Sequence, residues 1–588
     1  MHKHVLVLGG GVAGMSAAHE LAERGFSVEV HESKAVPGGK ARTIYAPNTG
    51  TGGRPDLPGE HGFRFFPSFY KHLPDTMKRI PFAGRKNGVH DNLVQASHYL
   101  LADGPQKNLR FLVRFPRSLG EWRQLLAGIY QGRELGIPDD ELLFFIERLL
   151  VILTSCRERR LHEYEKIDWW RFIAADGKSQ AYQTYLAIGL TRSLVALKAQ
   201  EASTRTVGDI LVQLLLGIYS PFTEFDRVLD GPTTEVWIDP WLAHLQSLGV
   251  RYERQSEVVA IDCGADGRIH GVTVEDPAGA RRTVRADYYV LALPVEAVVP
   301  LVDAKLRAAE PRLGRLHDLR VAWMNGLQLF LGKDRRVVGG HANYVATPSA
   351  LTSISQEQFW RRRLTDYGDG NTHGCLSIDI SDWESPGMLP PHAPLKDLPS
   401  RDAVMQEVRA QLQAALTPAD AAALDDANLM HWFLDPDIEL PNPSGAVNLE
   451  PLLINTRGSW VDRPDAVTRI PNLFLAADYV RTNTDLATME GANEAARRAV
   501  NGILERSRSS APACRIWPLS EPAIFAPARA LDYVLWKLGV PHGKLGKTTT
   551  RDLIAPPAIP RHSRTHRVGD AACASPASGG GHQSMRKR

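Results

Sequence analysis

Three glycines near the start of the chain set the first constraint on chemistry. Gly9, Gly11 and Gly14 stand as G-x-G-x-x-G in "VLVLGGGVAGMSAAHELAERGFSVEVHES", residues 5–33, directly after an apolar run. The first glycine makes a tight turn, the second lets backbone approach a pyrophosphate, and the third permits close helix–strand packing. Val12, Ala13 and Gly14 then open a helix whose N-terminal partial charge faces the phosphates. Glu32, with Ser33 beside it, ends the next strand about 20 residues past the motif, the expected place for a ribose-binding carboxylate. The chemistry so far is dinucleotide binding, open to NAD and FAD alike.

Two further features choose between them. "PGGKA" puts Gly38, Gly39, Lys40 and Ala41 directly after the second strand, resembling the flavoprotein turn that runs back over diphosphate and flavin. At the far end, "LFLAAD" predicts a strand ending in Asp478, an acid able to accept hydrogen bonds from ribityl hydroxyls. "MEGANEAARRAVNGI" predicts a helix from about Glu490, with Met489, Glu490 and Gly491 at its N-terminus. Such a terminus, aimed at the O2 side of an isoalloxazine, stabilises the negative charge of the reduced ring. NAD sites have no such partner at the far end of the chain, so the nucleotide is FAD.

The elements that must position these residues come in separated blocks. The expected class is α/β: a Rossmann-like FAD-binding domain, split in sequence, with an inserted α+β substrate domain. Residues 1–75, 231–300 and 456–507 form the three FAD-binding parts. Between them lie a helical part of the substrate domain at 76–230 and its strands and helices at 301–455. A helical extension at 508–546 and a disordered tail at 547–588 follow. The middle FAD-binding block is expected to hold the adenine by backbone contacts around Val258.

Length and composition agree with this plan. A chain of 588 residues exceeds one compact core, and 43% hydrophobic with 23% charged residues is the balance of a globular protein. A net charge of +3, with basic residues scattered until the last stretch, is too small to suggest a nucleic-acid partner, and none is expected. Cys156, Cys263, Cys375, Cys514 and Cys573 are far apart, so neither a disulfide framework nor a metal site is indicated. The first strand begins almost at once, which predicts a cytoplasmic protein without a signal peptide. No run spans a bilayer, yet the helices expected at residues 109–130, 141–155 and 207–219 are unusually apolar. Either they are core, or they face a membrane at the mouth of a lipophilic pocket, with Arg114, Arg117, Trp122 and Arg123 at headgroup level.

The ordered motifs carry a resemblance. "GEHGFRFFPSFYKHLPDTM", "LDGPTTEVWIDPWLAHLQSLG", "TPSALTSIS" and "FLAADYVRTNTDLATMEGA" are similar to segments of the plant-type phytoene and zeta-carotene desaturases, within the amine oxidase superfamily. The resemblance covers about residues 4–505. It implies FAD, a lipophilic tunnel, and desaturation of an isoprenoid or carotenoid-like substrate by hydride loss to flavin N5. A membrane surface and a quinone acceptor are the further partners it suggests. Val236 stands where such relatives often carry Arg.

Within this reading His61 and Arg64 are the candidate catalytic residues, in an aromatic segment expected to approach the flavin. His61 either shuttles a proton or is a structural histidine bonded to backbone. Phe63, Phe65, Phe66 and Tyr70 either wall the tunnel or belong to the core. Amine oxidation is the nearest rival, but many amine oxidases place a lysine where Asn325 or Gly326 stands here. Dehydroxylation of a hydroxysqualene-type alcohol, polyene isomerisation and a non-catalytic flavin-binding scaffold are the others.

Overall fold

A computed structural model describes residues 3–113, 135–195, 197–218, 224–440 and 446–542. Its central feature is a five-stranded parallel sheet assembled from distant parts of the chain. In spatial order the strands are Leu473–Leu475, Tyr288–Leu291, His4–Leu8, Ser27–His31 and Arg251–Glu253. Val5–Leu8 and Tyr288–Leu291 are buried throughout, so the strands read as apolar runs without alternation. The helices Val12–Ala22 and Met489–Ser507 pack together against this sheet, burying Ala17, Ala18, Ala495 and Ala499. Small side chains let the two helices approach closely.

A second sheet of seven strands carries the other large core. Its order is Leu429–Leu434, Asn325–Leu331, Gly374–Ile380, Leu351–Ser355, His341–Tyr344, His98–Ala102 and Asn108–Leu112. Neighbours are antiparallel except His341–Tyr344 with His98–Ala102. The helix Arg401–Ala415 covers one face, burying Val404, Val408 and Leu412 with Leu327, Leu329 and Ile378. A third core joins the helices Asp139–Thr154 and Thr204–Ile218 around Trp169, Phe172 and Tyr182.

Three expectations need correction. The segment 76–230 is not purely helical, since it supplies two strands to the seven-stranded sheet. The apolar run from Leu109 begins as the strand Asn108–Leu112, because it finds a partner in His98–Ala102. Arg114, Arg117, Trp122 and Arg123 lie outside the described residues, as does the tail from 547. The last parallel strand closes at Leu475, three residues short of Asp478, because pairing with the strand Tyr288–Leu291 ends there. Cys156, Cys263, Cys375 and Cys514 are buried free thiols, as filler cysteines would be.

Candidate active site

The glycine fingerprint sits at the C-terminal end of the strand His4–Leu8. Gly9 has φ +104°, a left-handed conformation, and a Cβ on Gly14 would lie 1.8 Å from the Gly9 carbonyl oxygen. Gly14 is therefore a packing requirement. Gly11 differs: its hypothetical Cβ would meet Gly39 Cα at an ordinary 3.6 Å, and Gly11 pairs with Gly38 in a parallel bridge. Gly38 and Gly39 both have positive φ and lead into a short turn of helix, Gly39–Ala41. The first motif and the glycine pair thus share one backbone cradle, with no side chain to fill it.

Glu32 lies at the rim of that cradle. Its carboxylate accepts from Gly10 N at 2.7 Å and Lys34 N at 2.9 Å, while Ser33 is exposed beside it. Tyr252, from the middle block, donates its hydroxyl to Gly10 O at 2.8 Å. Val258 is buried in the strand Glu257–Cys263, opposite Val274. Lys40 pairs with Glu296 at 2.8 Å. Burial opposes its charge, but Glu296 and the nearby Asp478 hold the ammonium above its ordinary range. First, second and third blocks therefore converge on one spot.

Glu296 Oε2, on the carboxylate that pairs with Lys40, is buried with no protein hydrogen-bond partner. An orphaned buried carboxylate oxygen beside a glycine-lined cradle fits a polar ligand better than it fits a finished core. The helix Met489–Ser507 begins at Thr488, whose hydroxyl accepts from Gly491 N at 3.2 Å. The first-turn amides of Met489 and Glu490 are helix N-terminal donors of the kind that bind anionic or carbonyl oxygens. These residues fit FAD.

The Glu490 side chain has another task. Its carboxylate accepts from the amides of Lys71, His72 and Leu73 at 2.7, 2.8 and 2.9 Å, and from His72 Nδ1 at 2.7 Å. It caps the helix His72–Arg79, so Glu490 can offer a cofactor only its backbone.

The aromatic segment divides in the same way. Phe66 and Tyr70 pack into the core with Trp237, while Phe63 and Phe65 remain partly exposed on either side of His341. Arg64 donates to the carbonyls of Gly62 and Lys40 and lies 3.5 Å from Glu60, so it braces the turn. His61 is buried, with Nδ1 2.5 Å from Asp435 Oδ2. Asp435 also accepts from Asn325 Nδ2 at 2.8 Å. Burial alone would raise this acid, yet His61 and Asn325 hold it below the ordinary carboxylate range. Asp435 is thus a fixed anion that sets the orientation of His61.

Asp379, on the strand Gly374–Ile380, escaped the sequence reading. It accepts from Phe63 N at 3.2 Å, and its Oδ1 lies 2.6 Å from where a Gly62 Cβ would be. Burial pushes its carboxyl up to about 7 against the pull of Arg64. An acid in a wholly buried strand was the available signal. Gly326 is pressed against this turn: a Cβ there would fall 2.5 Å from Glu60 O, leaving no room for a lysine.

A partly open cavity of about 70 Å³ lies between the helical part and the end of the seven-stranded sheet. Its apolar lining is Val321, Ala322, Trp323, Trp383 and Ile454, with the two indoles edge to face at 5.5 Å. The rim acids are each matched. Asp382 pairs with Arg192, Glu384 with Lys198 at 3.0 Å, and Glu201 with Arg320 at 3.1 Å.

Comparison with known proteins agrees with this geometry. Residues 12–504 match the family model described as flavin containing amine oxidoreductase. The 15-cis-phytoene desaturase of Synechococcus elongatus is 21% identical over 509 residues, covering 85% of this chain and 96% of the relative. The zeta-carotene desaturase of Synechocystis is 23% identical over 539 residues, covering 85% and 97%. Among solved structures, putrescine oxidase superposes with a TM-score of 0.57 at 13% identity, covering 86% of this chain and 99% of that one. Cyclohexylamine oxidase from Brevibacterium oxydans gives 0.55 at 13%, covering 86% and 100%. Family match, glycine cradle and converging blocks together identify an FAD-dependent oxidoreductase, and the chain belongs to the flavin containing amine oxidoreductase family.

Proposed function

We propose that the chain dehydrogenates a lipophilic, isoprenoid or carotenoid-like substrate, converting a CH–CH unit to C=C. The cavity lining carries this reading. Its accessible lining is mostly apolar, with two indoles, and the lining carboxylates Glu201, Asp382 and Glu384 are each paired, so a substrate ammonium would find no unmatched acid there. The names of the relatives, phytoene and zeta-carotene desaturases, support the same substrate class.

Bound FAD supplies the two-electron acceptor for the hydride. Gly9, Gly11, Gly14, Glu32, Gly38, Gly39 and Asp478 would hold it, with Val12, Ala13, Ser33, Ala41, Val258, Met489 and Gly491 at its margins. The protein must orient the substrate, exclude water and take one proton. His61 Nε2, with Nδ1 committed to Asp435, can hold that proton. Asp379, poised near neutrality, can relay it. The electrons then leave to oxygen, a quinone or another carrier. Among the described residues no helix is long and apolar enough to cross a membrane. A peripheral position on a membrane surface therefore suits so insoluble a substrate.

Expression in cells that accumulate phytoene, zeta-carotene or hydroxysqualene tests the reading. Extracts should gain a product with added conjugated double bonds in one of the two carotenoid backgrounds. A shift only in the hydroxysqualene strain would point to dehydroxylation. An isomer of unchanged hydrogen content would point to isomerisation. Unchanged carotenoid extracts beside active amine turnover would contradict the proposal.

A further inference from the structure

The helices Asp139–Thr154 and Ala526–Lys537 pack against each other, and each also turns a row of apolar side chains outward. The first buries Phe145, Val151 and Ile152 together with Glu141 and Arg148, yet Leu143 is 66% exposed, with Leu142, Ile146 and Leu150 also outward. Spacings of three and four place these residues on one face. In the second, Asp532 is the sole fully buried residue, whereas Leu531 is 61% and Leu538 71% exposed, with Val534 on the same stripe. A water-facing helix does the opposite.

What fixes the second helix is polar. Asp532 accepts from Cys156 N at 2.8 Å and Arg159 Nε at 2.9 Å, and His542 Nδ1 lies 2.9 Å away. Arg529 donates to Leu153 O. The apolar stripe takes no part in this clamp. Trp536 and Tyr533 stack at 6.2 Å beside it, the residue types that favour a membrane–water boundary.

We propose that these two helices form a plate that rests on an anionic lipid bilayer, with the C-terminal extension as its membrane-contact element. The proposal deepens the lipophilic-substrate reading and rests on it for its purpose, while its observations are independent. Charge selects the occupant. From residue 543 onward the sequence carries nine Lys or Arg against Asp552 and Asp570 alone. Apolar contact plus a basic segment is the pair of signals that stable peripheral binding requires. A second copy on the same face would bring two such cationic segments together.

The test uses the full-length, FAD-loaded protein and sucrose-loaded vesicles, of phosphatidylcholine alone or with one-third phosphatidylserine. The wild type should sediment with the phosphatidylserine vesicles at low salt and only partly detach at high salt. Leu531→Glu/Val534→Glu should lower its vesicle affinity by about tenfold or more, with flavin content and Tm unchanged. A chain ending at His542 should bind both vesicle types alike. Turnover of detergent-dispersed substrate should survive both changes. A wild type that stays in the supernatant, or a double variant that binds as before, overturns the proposal. So does a double variant whose only effect is to dissociate a dimer. If vesicle binding behaves as expected while no polyene is turned over, the substrate reading falls and the plate stands.

Discussion

Gly11 and Gly14 look alike in the motif but answer to different demands. A methyl on Gly14 collides with the Gly9 carbonyl, whereas one on Gly11 has ordinary room. Gly14→Ala should therefore lower soluble yield and Tm whether or not flavin is present. Gly11→Val should abolish FAD binding, and the protein should lose the several kcal/mol that a tight ligand contributes. Flavin content after purification and Tm with added FAD separate the two. Asp379 offers a second measurement. Its folded carboxyl is raised to about 7, so its favourable contribution is complete below the ordinary Asp range and lost as pH rises through 7. Asp379→Asn should consequently raise Tm by several degrees at pH 8 and leave it unchanged near pH 4, while slowing turnover. An equal Tm effect at both pH values would show that the carboxyl is not the cause. The sequence disclosed the glycines because a turn and a close approach are local events. It concealed Asp379 and Asp435 because their partners, Phe63 and His61, are brought in by a distant sheet.

Among elements, those with a strong period or a loaded terminus were legible. The helix Met489–Ser507 and the strands around Val7, Val30 and Val290 stand where apolar patterning put them. The run from Leu109 was not, since a short apolar stretch reads equally as helix or strand until its partner is known. The role of the Glu490 side chain was hidden for a similar reason. Its place at a helix N-terminus is visible, but the three amides it caps lie more than 400 residues away in sequence. The clamp on the helix Ala526–Lys537 makes a further prediction. Burial would raise Asp532, but His542 and the Cys156 amide hold it down at about 2. A lowered pKa stabilises docking above the ordinary Asp value and loses that effect as pH falls toward 2. Hydrogen exchange across residues 526–537 should thus accelerate between about pH 4 and pH 2, ahead of the parallel sheet. In Asp532→Ala the same acceleration should appear at neutral pH, because Arg159 loses a buried partner. Exchange that stays slow in the variant would mean that apolar packing holds the helix.

At the scale of the molecule, the fold divides the work between two sheets. The parallel sheet gathers strands from three separated blocks so that their C-terminal ends share one glycine-lined cradle. The seven-stranded sheet brings Asp379, Asn325 and Gly326 to the turn that carries His61. Between that sheet and the helices lies the apolar cavity, and the outward face of two of those helices is itself apolar. The split FAD domain was legible because its fragments each carry a local signature. The composition of the cavity was not, since Trp323, Trp383 and Ile454 meet only in three dimensions. The central claim is that this arrangement moves a hydride from an isoprenoid carbon to FAD. The most direct measurement is anaerobic titration of the purified flavoprotein with detergent-dispersed phytoene or zeta-carotene, beside putrescine and cyclohexylamine. The account predicts bleaching of the oxidised flavin by a polyene alone, with one new double bond formed for each flavin reduced. Bleaching by an amine while both polyenes leave the flavin oxidised would contradict it.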